Sequence, residues 1–313
     1  MTILITGANG FIASHLIPFL LKNEPEQIVG CVLRAKSHYL IPTYVYNLQD
    51  KTECEKLLKE TKPKQIYHLA GYTNNARSFL EPEQAISSNL EITYNLLEAL
   101  RSFSPRSRLL IASTSQVYAP RGNLVDESSP LLPSSPYALS KKLVEEITKF
   151  YLKQYHLDLI IVRLSNQIGP GQPPEYVASG FARQIALILL GKKPPELEVG
   201  NLEAERDFID VRDSVQALHL IMKRGKTGEV YNLAKGELVS IKNLLDTLLK
   251  IAHLPSNQVQ IKTSRQLYRA EPPQPKISTK KLSSLGFLPQ TPLEKTLQDL
   301  LNYWLAELRA SSS

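Results

Sequence analysis

The chain opens on a short apolar run, TILIT (2–6), which passes through a glycine turn into an amphipathic stretch, FIASHLIPFLLK. That alternation continues. Apolar runs rich in β-branched residues at 27–34, 43–48, 64–70, 108–114 and 157–165 predict strands. Helical spacing of apolar positions over 51–61, 83–101 and 136–155 predicts helices between them. Repeated strand–helix units imply parallel strands with helices on both faces. With right-handed crossovers this is an α/β, Rossmann-type doubly wound parallel sheet. Such sheets bind ligands beyond the carboxyl ends of their strands, where the strand order reverses.

After residue 165 the pattern loses its regularity. NQIGPGQPPEY (166–176) is dense in Pro, Gly and polar residues and reads as a functional loop. A helix near 178–191, strands at ERDFIDV and EVYNLA, a helix at 240–252 and a final helix from about 292 follow. The expectation is a Rossmann domain over 1–165, which also takes segments near 206–235. A smaller mixed α/β portion over 166–313 would then bind the substrate.

Composition narrows the class. With 313 residues and 42% hydrophobic content the chain is an ordinary globular one. No apolar run approaches the roughly 20 residues that span a bilayer, so no membrane is expected. TILIT has no basic stretch ahead of it and reads as a strand, not a signal peptide. Cys31 and Cys54 are too few for a disulfide framework, which fits a reducing cytoplasm, and neither has a His/Cys cluster nearby to hold a metal. The net charge of +7 is spread along the chain, as in KKP (192–194), KRGK (223–226) and STKK (278–281). It is either a solvated basic surface or an attraction for a small anion such as a nucleotide. Zinc-finger spacing and RNA-binding aromatic motifs are missing, so no nucleic acid partner is expected.

TGANGFIASHL places Gly7 and Gly10 between a strand and a helix. Gly7 permits the tight turn, and Gly10 lets a pyrophosphate approach the backbone at the positive end of the helix. The third small position is Ala13. The second strand ends in VLR, where an acid often binds the ribose hydroxyls of NAD. Arg34 there either meets a 2′-phosphate, favouring NADPH over NADH, or is a surface residue stacking on adenine. Asn47 either meets the adenine edge or belongs to an ordinary strand-end turn.

SPYALSK carries the candidate chemistry. Ser135 suits a helix cap and Pro136 the first helical position. Tyr137 and Lys141 are four apart and share one helix face. An ammonium there is expected to lower the phenol pKa, so that Tyr137 exchanges a proton with a carbinol or ketone oxygen. Thr114, at the end of the strand RLLIAST, can polarise that oxygen.

These motifs, with YHLAG, NLEITYNLLEAL, ASTSQVYA, RLSNQIGPGQPPEYV, RDFIDVRD and GEVYNLA, run nearly end to end. The chain resembles the extended short-chain dehydrogenase/reductase superfamily, which holds sugar-nucleotide epimerases, dehydratases and reductases. The resemblance implies a catalytic set of Thr114, Tyr137 and Lys141, the lysine also holding the nicotinamide ribose. It implies cofactor contacts from Gly7, Asn9, Gly10, Phe11, Ile12, Arg34, Asn47, Leu48, Leu69, Ala70 and Gly71. Asn89 belongs to the helix behind the site. The 83–101 and 136–155 helices would pair across a two-fold axis in a homodimer.

Gln116 divides the superfamily further. Relatives that dehydrate GDP-mannose carry a glutamate directly after the Thr-Ser pair. The amide of Gln116 cannot shuttle a proton at neutral pH. The loop at 166–176 and the run VGNLEAERDF look like GDP-4-keto-6-deoxy-D-mannose reductases, which implies a GDP-sugar substrate and a GDP-D-rhamnose product. Candidate substrate contacts by this likeness are Thr73, Ser115, Gln116, Asn166, Arg183, Asn201, Arg206 and Arg269. A 4,6-dehydratase, a 4-epimerase and a non-catalytic cofactor-binding protein remain the alternatives.

Overall fold

The computed structural model describes residues 1–36, 39–120, 124–264 and 273–311. The first part runs β1 (Thr2–Thr6), α1 (Phe11–Asn23), β2 (Gln27–Val32), β3 (Thr43–Val45), α2 (Lys51–Thr61), β4 (Gln65–His68), α3 (Asn75–Ser78), α4 (Pro82–Phe103) and β5 (Arg108–Thr114). It continues with β6 (Leu124–Val125), α5 (Pro136–Tyr155), β7 (Asp158–Leu164), β8 (Asn166–Ile168), α6 (Val177–Leu189), β9 (Glu196–Val199), β10 (Glu205–Asp210) and α7 (Val211–Arg224). Last come β11 (Val230–Leu233), β12 (Leu238–Ser240), α8 (Ile241–Ile251), β13 (Gln260–Thr263), β14 (Lys276–Ile277), α9 (Lys280–Ser284) and α10 (Leu293–Ala310).

Seven strands form one sheet in the order β11-β7-β5-β4-β1-β2-β3, and each neighbouring pair is parallel. This is the doubly wound α/β sheet that the strand–helix alternation predicts. The order reverses between β1 and β4, which is where such sheets take their ligands.

Period-two alternation sorts the sheet's side chains into two cores. Ile3, Ile5, Leu110 and Ile160 meet Leu16 and Leu20 of α1 and Leu218 and Ile221 of α7. The intervening Leu4, Ile66, Leu109 and Leu159 meet Leu57 of α2, Leu96 and Leu100 of α4 and Val144 of α5. Cys31 and Cys54 lie in this second core, where burial pushes both thiols up to about 12. A third core joins α6, α8 and α10 with Leu197, Val199 and Phe208. Among the described residues no helix is long and apolar enough to cross a membrane.

One helix goes beyond the sequence pattern. The strand at ERDFIDV stops at Asp210, whose carboxylate accepts the Arg212 N–H at 2.7 Å and caps α7. The boundary is hidden because the strand passes into the helix through Asp210 alone, without a polar loop.

Asp207 of β10 is 1% exposed. Its carboxylate accepts from Ser165 Oγ (2.8 Å), Lys235 N (2.8 Å), Gly236 N (2.6 Å) and Glu237 N (3.1 Å). It thereby joins the segments leaving β7 and β11 to the small sheet β12-β10-β8.

Candidate active site

The turn after β1 is built for close approach. Gly10 N donates to Gly7 O at 2.8 Å. Gly7 has φ +69°, and a Cβ there would sit 2.8 Å from Ala70 N, inside van der Waals contact. Gly10 is the N-cap of α1 and offers no side-chain cap, so the first-turn N–H groups of Phe11 and Ile12 are left for an anion. Asn9 Nδ2 donates to Arg34 O at 3.1 Å and ties the turn to the end of β2, where the Arg34 side chain is exposed. Ala13 is 1% exposed and packs in the core, so a methyl fits where a third glycine is usual.

The rest of the expected cofactor wall divides. Leu69 and Ala70 are half-buried at the end of β4, with Ala70 N donating to Thr6 Oγ1 at 3.2 Å. Gly71 has φ +150°; a Cβ there would collide with Asn89 Oδ1 and lie 3.6 Å from Lys141 Nζ. Asn47 is exposed in a strand-end turn, its Oδ1 accepting from Gln49 N at 3.1 Å. Leu48 is buried in the core behind α2 and α4. For these two the structure shows local roles in the turn and the core.

The groups expected to react stand at the end of β5 and the start of α5. Ser135 Oγ caps α5 by accepting from Ala138 N at 3.1 Å, and Pro136 takes the first turn. Thr114, Tyr137 and Lys141 are all buried. Thr114 Oγ1 accepts from Gln116 N at 3.3 Å, where the chain turns out of β5. Lys141 Nζ donates to Ala112 O at 3.0 Å.

The electrostatics correct one expectation. Lys141 does not pull the Tyr137 phenol down. Burial pushes it up to about 12, against a smaller opposing effect of the Thr114 hydroxyl. Burial also brings the Lys141 ammonium down to about 8. At neutral pH Tyr137 therefore holds its proton. His68, behind the site, is driven to about 3 by burial and the Lys141 charge, so its imidazole is neutral, bridging Thr6 Oγ1 (2.8 Å) and Thr93 Oγ1 (3.2 Å).

Sequence reasoning missed the supports beneath these groups. Ser113 Oγ donates to Glu145 Oε1 at 2.6 Å. Arg163 of β7 clamps the same carboxylate through Nε (2.9 Å) and Nη2 (2.7 Å). Arg163 Nη1 reaches Tyr118 OH (2.9 Å), which donates to Asn232 Oδ1 (2.7 Å). On the other side, Asn89 Nδ2 donates to Ser140 Oγ (2.8 Å), which donates to Tyr137 O (2.7 Å). Glu145 lies two helical turns from Tyr137, a spacing that could have flagged it.

The expected substrate residues spread more widely. Ser115 and Gln116 line a small cleft with Tyr118, Pro273, Gln274 and Pro275. Thr73 Oγ1 lies 3.0 Å from Tyr176 OH. Asn166 Nδ2 donates to Asp207 O at 2.9 Å, and Asn201 Oδ1 accepts from Glu203 N at 3.0 Å. Arg183 stands 5.7 Å over the Trp304 ring, against α10. Arg206 is half-buried, with Nη1 on Glu205 O at 2.7 Å, and burial lowers its pKa. Arg269 falls outside the described residues.

Over residues 3–234 the chain matches the NAD dependent epimerase/dehydratase family. The chain belongs to that family. A GDP-6-deoxy-D-mannose reductase of Pseudomonas aeruginosa is 29% identical over 97% of both chains. The structure of RMD from Pseudomonas aeruginosa with NADPH has a TM-score of 0.85 at 27% identity, covering 98% of this chain and 99% of that one. UDP-glucose 4-epimerase of Thermus thermophilus, solved with NAD, also has a TM-score of 0.85, at 26% identity over 97% of this chain and 99% of that one. Membership makes this chain an NAD(P)-dependent enzyme acting on sugar nucleotides. Features that suit this family's cofactor are in place: the Gly7 cradle, the uncapped start of α1 and the buried lysine facing Gly71.

Proposed function

We propose that the protein reduces the C4 ketone of GDP-4-keto-6-deoxy-D-mannose to give GDP-D-rhamnose, with NADPH as the reductant. The observation that carries this reading is the burial of Thr114, Tyr137 and Lys141 together at the end of β5 and the start of α5, with the Lys141 ammonium held on Ala112 O. Burial keeps the Tyr137 phenol protonated, and the oxygen of a reduced ketone needs a proton.

NADPH, when bound, supplies the hydride. The chain's own residues do the rest. Gly7, Gly10 and the start of α1 take the diphosphate. Arg34, exposed at the end of β2, is available to a 2′-phosphate. Thr114 and Tyr137 converge on the C4 oxygen; the threonine polarises it and the phenol hands over its proton. Lys141 keeps positive charge beside the nicotinamide ribose. Gln116 stands where elimination would need a proton carrier, and its amide is not one.

Likeness to the Pseudomonas reductase supports guanine as the base and reduction as the chemistry. The equal structural likeness to a UDP-glucose 4-epimerase favours, as the second reading, a 4-epimerase or 4,6-dehydratase. Purified protein given GDP-4-keto-6-deoxy-D-mannose and NADPH should consume one reduced nicotinamide per sugar. A parallel sample given GDP-mannose alone should stay unchanged. A 4-keto product from GDP-mannose without net nicotinamide oxidation would establish the dehydratase instead.

We propose a homodimer as well. Leu139, Leu143 and Phe150 of α5 and Tyr94 of α4 are exposed apolar side chains on two helices that pack together. Sedimentation should give a dimer, and Leu143→Glu should give a monomer.

A further inference from the structure

We infer that Tyr176, held by Thr73, orients the sugar ring over Thr114 and Tyr137 and so decides which hexoses are accepted. This rests on the nucleotide-sugar reading above, and it adds a residue which that reading leaves out.

Tyr176 ends the Pro- and Gly-rich loop and is the N-cap of α6, with no side-chain cap bond. A Ser, Thr, Asp or Asn would serve the helix better there. The tyrosine side chain therefore gives α6 no cap, and its phenol turns instead to Thr73 Oγ1, 3.0 Å away on the loop that follows β4. Tyr176 also adds a small upward push to the Tyr137 pKa, after that of burial. Two neighbours of Thr73 are also unspent: Tyr72 OH and Asn75 Oδ1 are buried without a hydrogen-bond partner. Such groups are costly unless something meets them. The paired hydroxyls of Thr73 and Tyr176 match a ring carrying adjacent hydroxyls, each of which donates and accepts at once.

The loop is fixed before any ligand arrives. His15 Nε2 bonds Pro170 O at 2.8 Å, and Ser179 Oγ bonds Gln172 O at 2.5 Å. Pre-set geometry of this kind converts one hydrogen bond into orientation as well as affinity.

The test separates the sugar from its nucleotide. Calorimetry on the full chain loaded with NADP⁺ gives Kd for GDP and for GDP-mannose, and their ratio is the sugar's share of binding. Tyr176→Phe should cut that ratio about tenfold and Thr73→Val several-fold, with GDP affinity and Tm unchanged. Turnover should show the same loss in KM. A ratio kept at the wild-type value in both variants overturns the assignment, as does a wild type that binds nucleotide and nucleotide sugar equally. If the ratio falls but the wild type reduces no keto sugar, the reductase reading fails and this one stands. The same pair of titrations with UDP and UDP-glucose reads it should guanine not be the base.

Discussion

The Glu145 carboxylate of α5 and the Arg163 guanidinium of β7 meet through two bonds, 2.9 and 2.7 Å long, beneath the strand end that carries Thr114. Both side chains are almost wholly out of water. Ser113, next to Thr114, donates to the same carboxylate. The pair thus fixes the catalytic helix against the catalytic strand. Breaking a buried pair leaves one group uncompensated, at a cost of about 3–5 kcal/mol. Glu145→Gln should lower Tm by on the order of 10 °C in a thermal melt. An unchanged melt would mean that the pair carries no structural role.

Tyr137→Phe removes the proton that the C4 oxygen receives. The expected loss in kcat is about 10²–10⁴-fold, with little change in KM. Thr114→Val should cost about 10²–10³-fold, because it removes a donor aimed at the developing charge. Steady-state kinetics on the keto sugar checks both. Full turnover by Tyr137→Phe would sink the assignment.

Lys141 makes stability depend on pH in a stated direction. Its ordinary pKa is 10.5, and burial holds the folded value at about 8. Below pH 8 the lysine is charged in both states, and burying that charge weakens the fold by about 3 kcal/mol. Between pH 8 and 10.5 the unfolded chain keeps the proton and the native chain gives it up, so stability gains with pH. Denaturant unfolding of wild type and Lys141→Met at pH 7, 8.5 and 10 should show this gain in the wild type and its loss in the variant. Parallel profiles would refute it.

Gly7→Ala places a methyl against the Ala70 backbone at a φ of +69°, which an L side chain rarely adopts. The turn must shift, and the first-turn N–H groups of α1 shift with it. NADPH affinity, followed by nicotinamide fluorescence, should weaken at least tenfold.

Much of this was legible in the chain. The start of α5 follows from Ser135 and Pro136, and the middle of β5 from the apolar run LLIA. Gly7 lies in a short strand–helix turn, Thr114 ends a strand and Tyr137 lies in the first turn of a helix, all places that the pattern marks. What could not be read depends on contacts between distant segments. Arg183 looks like an anion binder until α10 brings Trp304 beneath it. The spacing of Tyr137 and Lys141 gives a shared face, yet the burial that sets their pKa values comes from the whole surrounding wall. Tyr176 carries no local signal, because its partner lies 103 positions earlier in the chain.

Asp207 has a mechanical consequence. A carboxylate gripped by a hydroxyl and three successive backbone N–H groups makes a brace at the corner where β7 and β11 hand the chain to the small sheet. A corner braced from both strands resists bending. The segments that lead to the helices beyond it are thereby stitched to the sheet at a single carboxylate.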